Sequence, residues 1–380
     1  MRTIIRNILI SVFVLYLALF GLTKVIRYPE PIATIRLGFA PASKTPDLMP
    51  SHIIEGAPST ESAWIIGEQE EIMQVMWQGE NVSFQEFLDA TQTNAFLVIR
   101  DGKITYEKYL NGKTESTVLP SYSVAKTMTA LVIGQLIDEG TLNEDNTFVS
   151  YLPRFKAGTS FDKVTIRDLL DMKSGIGVSD NYPSGPAGWG VAIAQMYATT
   201  DMNYFLNNNR KMREEPGSFA EYRSVNTQML GLIIQEVTGN SLADEFSNRI
   251  WKRVRADYNA TWNVDKVGGY EKAFCCFNAS ARDYARVGQA LLSRMPDIAS
   301  PSWSKRLSTS EVNLDYGWGY SAQMWHPYPG INLMMGLHGQ YIYQDKATKT
   351  VIIKLSDMPT SSDGISDDIA AVLKEISEKN

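Results

Sequence analysis

Histidine and cysteine are scarce in this chain of 380 residues, which holds three of the first and two of the second. His52, His326 and His338 each stand without a second ligand at metal spacing, so a His/Cys metal centre is not expected. Cys275 and Cys276 are neighbours; a bridge between adjacent cysteines is uncommon, so they read as buried free thiols. Positive charge is in deficit: 36 Lys and Arg against 42 Asp and Glu leave a net charge of −6. With no basic run carrying interleaved aromatics, nucleic acid is excluded as the main partner. Internal repeats, a Gly-x-Ser-x-Gly elbow, His-Glu-x-x-His and a P-loop are all missing, which removes several familiar hydrolase and nucleotide-binding classes.

Charge is also missing from Asn7 to Thr23, and Ile8 to Leu22 is almost wholly Ile, Leu, Val, Phe and Ala. The run approaches the length of a spanning helix, and Arg2 and Arg6 precede it as a basic flank. No clean small-x-small cleavage site follows, so residues 1–27 are expected to form an uncleaved signal anchor in an inner membrane, with a cleaved signal peptide as the alternative. The remainder is then exported to the periplasmic side, or secreted if the signal is cut. From Tyr28 onward, Pro29, Pro31, Pro41, Pro46, Pro50 and Pro58 mark a spacer over 28–80 with little expected secondary structure.

The folded domain is expected over 81–380. Ser83 with Glu86 forms a helix-capping pattern, and Ala95–Arg100, Asp101-Gly102 and Ile104–Leu110 read as strand, turn and strand. Helices follow from Thr165, over Ile193–Leu206, within Glu221–Thr238, and over Ser241–Trp251 and Ser280–Leu292. Gly317–Trp325, Leu333–Tyr343 and Thr350–Leu355 read as strands, and Asp367–Lys379 as a terminal helix. Strands near both ends with helices between imply an α+β fold: one antiparallel sheet built from both ends, with a mostly helical insertion over about 150–265.

The chemistry concentrates between Pro120 and Gly140. Pro and Ser open a helix, Gly closes it, and Ala130–Ile133 is continuously apolar, as in a buried helix. Ser123 and Lys126 lie three apart and therefore on one face. A lysine in the first turn opposes the positive end of the helix dipole, which depresses its pKa. A serine beside such an amine is an activated nucleophile. Alone, Ser-x-x-Lys is a weak signal; the motifs after it give it weight.

Those motifs are Ser123-Val-Ala-Lys126, Tyr151-Leu-Pro153, Val164-Thr-Ile-Arg-Asp-Leu-Leu-Asp-Met-Lys-Ser-Gly175, Tyr222-Arg-Ser-Val-Asn226, and Leu230-Gly231 through Val237-Thr-Gly239. In that order, from about Asn81 to the C-terminus, the chain resembles the serine β-lactamase and penicillin-binding-protein-like superfamily. Its class C-related branch, with family VIII esterases and aminohexanoate-oligomer hydrolases, is the most similar. The resemblance implies a β-lactamase/transpeptidase-like fold and a covalent acyl-enzyme, without metal or organic cofactor. It makes Ser123 the nucleophile, Lys126 its proton acceptor and Tyr222 the proton relay to the leaving group. Ser224 stands where the common pattern has Asn, and Asn226 follows two later, as in the aminohexanoate-hydrolase-like branch.

Where that superfamily carries Lys-Thr-Gly on a late strand, this chain offers Leu337-His338-Gly339-Gln340. Lys173-Ser174-Gly175 resembles the triplet but belongs to the earlier block. His338 is expected to touch substrate beside Gly339, and the N–H groups of Ser123 and Gln340 to form an oxyanion hole, with one residue of latitude in the second. Trp189 is expected on the pocket rim, and Trp318, Tyr320 and Trp325 either wall an apolar pocket or fill the core. The expected activity is cleavage of small esters or linear amides. The alternatives are a β-lactamase or D-Ala-D-Ala carboxypeptidase, and a catalytically silent envelope binding protein. Oligomeric state is left open.

Overall fold

The computed structural model describes residues 1–57, 63–180, 191–359 and 365–379. Its centre is a nine-stranded sheet to which both ends of the domain contribute. Strand Thr93–Arg100 pairs antiparallel with Lys103–Tyr109 on one side and with Thr350–Ser356 on the other. Beyond Thr350–Ser356 the order runs through Gln340–Asp345, Ile331–Gly336, Met324–His326 and Gly319–Ser321, each antiparallel to the last. At Asp101 and Gly102, φ values of 47° and 78° make the primed turn that suits a two-residue hairpin.

Both faces of this sheet are covered. Ala95, Leu97 and Ile99 point into one apolar cluster with Ala285 and Val287 of the helix Ala281–Leu292. The alternate residues Phe96 and Val98 point into a second with Ile369, Val372 and Leu373 of the terminal helix Ile365–Glu378. That is why the Phe-Leu-Val-Ile run is continuously apolar rather than alternating.

The apolar helix runs Val124–Asp138, with Ser123 at its N-terminal boundary and all but a few side chains buried. It packs on Ser224–Thr238, which ends at Gly239 in the left-handed conformation. In the chain between these two helices, the short helix Ile166–Leu170 is opened by a full capping box at Thr165 and Asp168. The segment Ile193–Leu206 is two helices, Ala192–Ala198 and Met202–Asn208, because Thr199 and Asp201 interrupt the ladder with side-chain bonds of their own.

Three expectations need correcting. The stretch 28–80 is not a spacer with little structure. Helix α1 (Arg2–Val25) is followed directly by α2 (Pro31–Phe39), started by Pro31 and capped by Glu30. Strand Ser51–Ile54 then pairs with Ala260–Asn263, burying Ile54 completely, so this proline-rich chain is fastened to the domain. Secondly, Cys275 and Cys276 are joined in a vicinal disulfide, with a left-handed backbone at Cys276 turning the chain. Thirdly, Leu337, His338 and Gly339 are a turn, not part of a strand. Gly336 pairs with Gln340 across it, and His338 and Gly339 have φ of 63° and 80°.

Candidate active site

Ser123 is reached through a strained step. Tyr122 has φ of 45°, a conformation that costs a bulky residue free energy and persists only when its surroundings hold it. They do: the buried Tyr122 hydroxyl is hydrogen-bonded with Thr45 and Tyr197, and its ring lies 4.9 Å from that of His338. Immediately after this turn the helix begins, so Ser123 and Lys126 fall on one face. Lys126 Nζ donates to Ser123 Oγ at 2.8 Å.

A second acceptor, the Phe274 carbonyl, lies 2.9 Å from Lys126 Nζ. The ammonium also sits 4.9 Å from the centroid of the Tyr222 ring. Lys126 is 1% exposed, and burial is what lowers its pKa to about 8, with the Asp180 carboxylate working in the opposite direction. Burial, rather than the helix dipole, is the main cause of the lowering.

Asp180 is the residue that sequence reasoning missed. It accepts from the Ser224 N–H at 2.7 Å and from the Ser224 hydroxyl, so it caps the helix Ser224–Thr238 while facing Lys126. Burial raises its pKa and Lys126 lowers it. No spacing rule links Asp180 to Ser224; only the fold brings them together.

Tyr222 lies immediately before that helix. Its ring stacks on Trp325 at 5.3 Å and meets Tyr320 edge-on at 6.0 Å. Trp318, Tyr320 and Trp325 are at most 5% exposed and form a packed aromatic cluster, so they are core behind Tyr222. Ser224 belongs to the site through Asp180. Asn226 is fully buried and turned away: its side chain accepts from Ser174 Oγ at 2.5 Å and meets Met172 sulfur. It ties the Lys173-Ser174-Gly175 turn to the helix. Trp189 lies outside the described residues.

Across from Ser123 stands the end of strand Ile331–Gly336. A Cβ on Gly336 would fall 2.2 Å from the Ser121 carbonyl and 3.0 Å from the Ser123 nitrogen. Only glycine permits this approach, and it sets the start of the Leu337–Gly339 turn against the nucleophile. Gln340 is fully buried, and its amide bonds to the carbonyls of Leu337, His338 and Ser356 and to the Ser356 N–H. It braces the turn from behind and offers no side chain to a ligand. His338 Nδ1 is 2.9 Å from the Met358 carbonyl, so Nδ1 carries the proton, and burial lowers its pKa. Burial thus favours the uncharged imidazole of His338. The other two histidines are remote in role: His326 bonds Ser321 and Asn332, and His52 pairs with Glu271. No group of metal ligands occurs among the described residues.

The β-lactamase family profile matches residues 83–375. A 6-aminohexanoate-dimer hydrolase of Paenarthrobacter ureafaciens is 30% identical over 300 residues, covering 72% of this chain and 75% of that protein. A Bacillus anthracis structure assigned as a 6-aminohexanoate-dimer hydrolase superposes with a TM-score of 0.78 at 26% identity, covering 92% of this chain and 94% of that one. A family VIII carboxylesterase shares the fold, with a TM-score of 0.58 at 18% identity over 76% of this chain and 94% of its own.

Proposed function

The chain belongs to the β-lactamase family and is a hydrolase, and from that premise we propose that it cleaves small ester or linear amide bonds through an acyl-enzyme on Ser123. The observation that carries this reading is the 2.8 Å contact between Ser123 Oγ and a buried Lys126 whose pKa is near 8. A fraction of Lys126 is then neutral at pH 7. In that form the Phe274 carbonyl takes one N–H, leaving the lone pair for the Ser123 proton.

As Oγ bonds to the substrate carbonyl carbon, its proton passes to Lys126 Nζ. The tetrahedral oxygen is held by the N–H groups of Ser123 and of Leu337, the residue that Gly336 sets against it. This moves the second donor from Gln340 to the start of the turn. Collapse breaks the bond to the leaving alkoxide or amine, which takes a proton through Tyr222. Water then attacks the acyl carbonyl as Lys126 takes its proton, and collapse returns that proton from Lys126 to the departing Ser123 Oγ, releasing the acid and restoring the site. Esters and linear amides are preferred to β-lactams because the turn opposite Ser123 presents neutral His338, where a β-lactam carboxylate would want a cation. We assign α1 as a membrane anchor that holds the domain at the bilayer surface; it is the single described helix long and apolar enough to span.

A fluorophosphonate probe should label the wild-type serine and leave Ser123→Ala unlabelled. Equal labelling of both would end the assignment. Side-by-side turnover of a nitrophenyl ester, an aminohexanoate oligomer and nitrocefin tests the substrate class, and fast nitrocefin turnover would contradict the role given to neutral His338.

A further inference from the structure

Helix α2 exposes an apolar face. Ile32, Ile35 and Phe39 are 50%, 57% and 76% exposed, and their spacing of three and four puts them on one side. Leu37 is buried on the opposite side, and Pro31 is buried at the start of the helix. Arg36 on the same helix is exposed, and so are Lys24 and Arg27 before it in the chain and Lys44 after it.

The path of the chain says what covers this face. Only 26–30 separate α2 from the end of α1, and the two helices pack together. Tyr16, nine residues before Val25, donates its hydroxyl to Glu30 at 2.9 Å. Nine residues of helix are about 13 Å, so the start of α2 is drawn down beside the last third of the anchor. If α1 spans a bilayer, α2 cannot stand clear of it.

The same end of the molecule carries the site. The Arg27 carbonyl accepts from the Thr200 N–H at 2.7 Å, and the Arg27 guanidinium lies over the Tyr204 ring. Thr200 is three residues from Tyr197, which bonds Tyr122, the neighbour of Ser123. Beyond α2 the chain reaches Thr45, which also bonds Tyr122, and Ser43, which bonds Asp357 next to the carbonyl that holds His338.

We propose that α2 lies in the interfacial zone of the bilayer, with Ile32, Ile35 and Phe39 among the acyl chains and Arg36 at the headgroups, and that it thereby presents the Ser123 site to amphiphilic esters or amides dissolved in the membrane. This rests on the reading of α1 as an anchor, and amphipathic helices with basic flanks bind bilayers in this way.

The test uses the full chain in phosphatidylcholine/phosphatidylglycerol vesicles, with a nitroxide on Leu15→Cys, Ile35→Cys or Asp101→Cys. The native cysteines are bridged and buried, so the label goes to the introduced thiol. Depth is read from collisions with oxygen and with a water-soluble nickel complex. The proposal expects hydrocarbon depth at 15, headgroup depth at 35 and water at 101. Hydrocarbon depth at 15 with water at 35 overturns the proposal and leaves the anchor standing. Water at 15 overturns the anchor and the proposal together. Separately, replacing Ile32, Ile35 and Phe39 by Ser should leave turnover of a water-soluble ester within about twofold, while turnover of a vesicle-embedded long-chain ester falls about tenfold or more. An equal change on both esters, or on neither, overturns the orientation of the site.

Discussion

Lys126 is enclosed by a carbonyl, a ring and a carboxylate, and each acts on it differently. The Phe274 carbonyl orients the amine, the Tyr222 ring favours its cation, and Asp180 raises its pKa against the larger lowering by burial. If neutral Lys126 is the form that reacts, kcat/KM for a soluble ester should rise with pH with its midpoint near pH 8 and level off above it. Asp180→Asn removes the carboxylate that raises the pKa, so the midpoint of that profile should move to lower pH. A midpoint that stays put or rises would disconnect Asp180 from Lys126. Stability should rise with pH in the same sense as activity, but over a higher window. The folded-state pKa near 8 lies below the usual 10.5, so below pH 8 the buried ammonium costs the fold on the order of 3 kcal/mol. That cost fades as the pH rises from 8 towards 10.5. Lys126→Met should therefore abolish turnover and raise the melting temperature at pH 7, with the gain shrinking by pH 10.

At the scale of elements, the hairpin from Ile331 to Asp345 carries the Leu337 N–H proposed as an oxyanion donor. Gly336→Ala would drive a methyl into the Ser121 carbonyl and the Ser123 nitrogen. Such overpacking costs about 1–3 kcal/mol, and here it would also push the Leu337 N–H away from the nucleophile. The variant should fold with a lowered melting temperature and lose fluorophosphonate labelling; normal labelling rates would argue against Leu337 as the donor. This hairpin also shows what the sequence could and could not disclose. Strand positions were legible because short apolar and β-branched runs are bounded by turn residues, and Ser123 and Lys126 were legible because helical spacing alone places them together. The break at Leu337–Gly339 was not, because the apolar run continues up to it and His338, which packs on Tyr122 and bonds the Met358 carbonyl, is not a strong turn signal even beside Gly339. The surroundings of Asn226 were hidden for a related reason. Its helix was evident, but the face it presents depends on Ser174, 52 positions away.

Across the whole molecule, the sequence drew the domain boundary too late. Proline was read as a sign of spacer, yet strand Ser51–Ile54 completes a sheet, Glu70 holds Arg100, and Thr45 bonds Tyr122. A chain beginning at residue 81 should therefore melt at least about 5 °C below one beginning at residue 28, which keeps all three contacts. Equal melting temperatures would mean that the proline-rich stretch only decorates the surface.

Lys126 has two counterparts elsewhere. Burial also lowers Lys272 to about 8, and Lys354 to about 7 beside Ser356 in the sheet. Around pH 9 the native molecule thus holds all three amines largely unprotonated, while the unfolded chain protonates them. Melting at that pH takes nearly three protons from solution. The heat absorbed in a calorimeter will include the ionisation heat of whatever buffer supplies them, so it should differ between Tris and borate in proportion to that number.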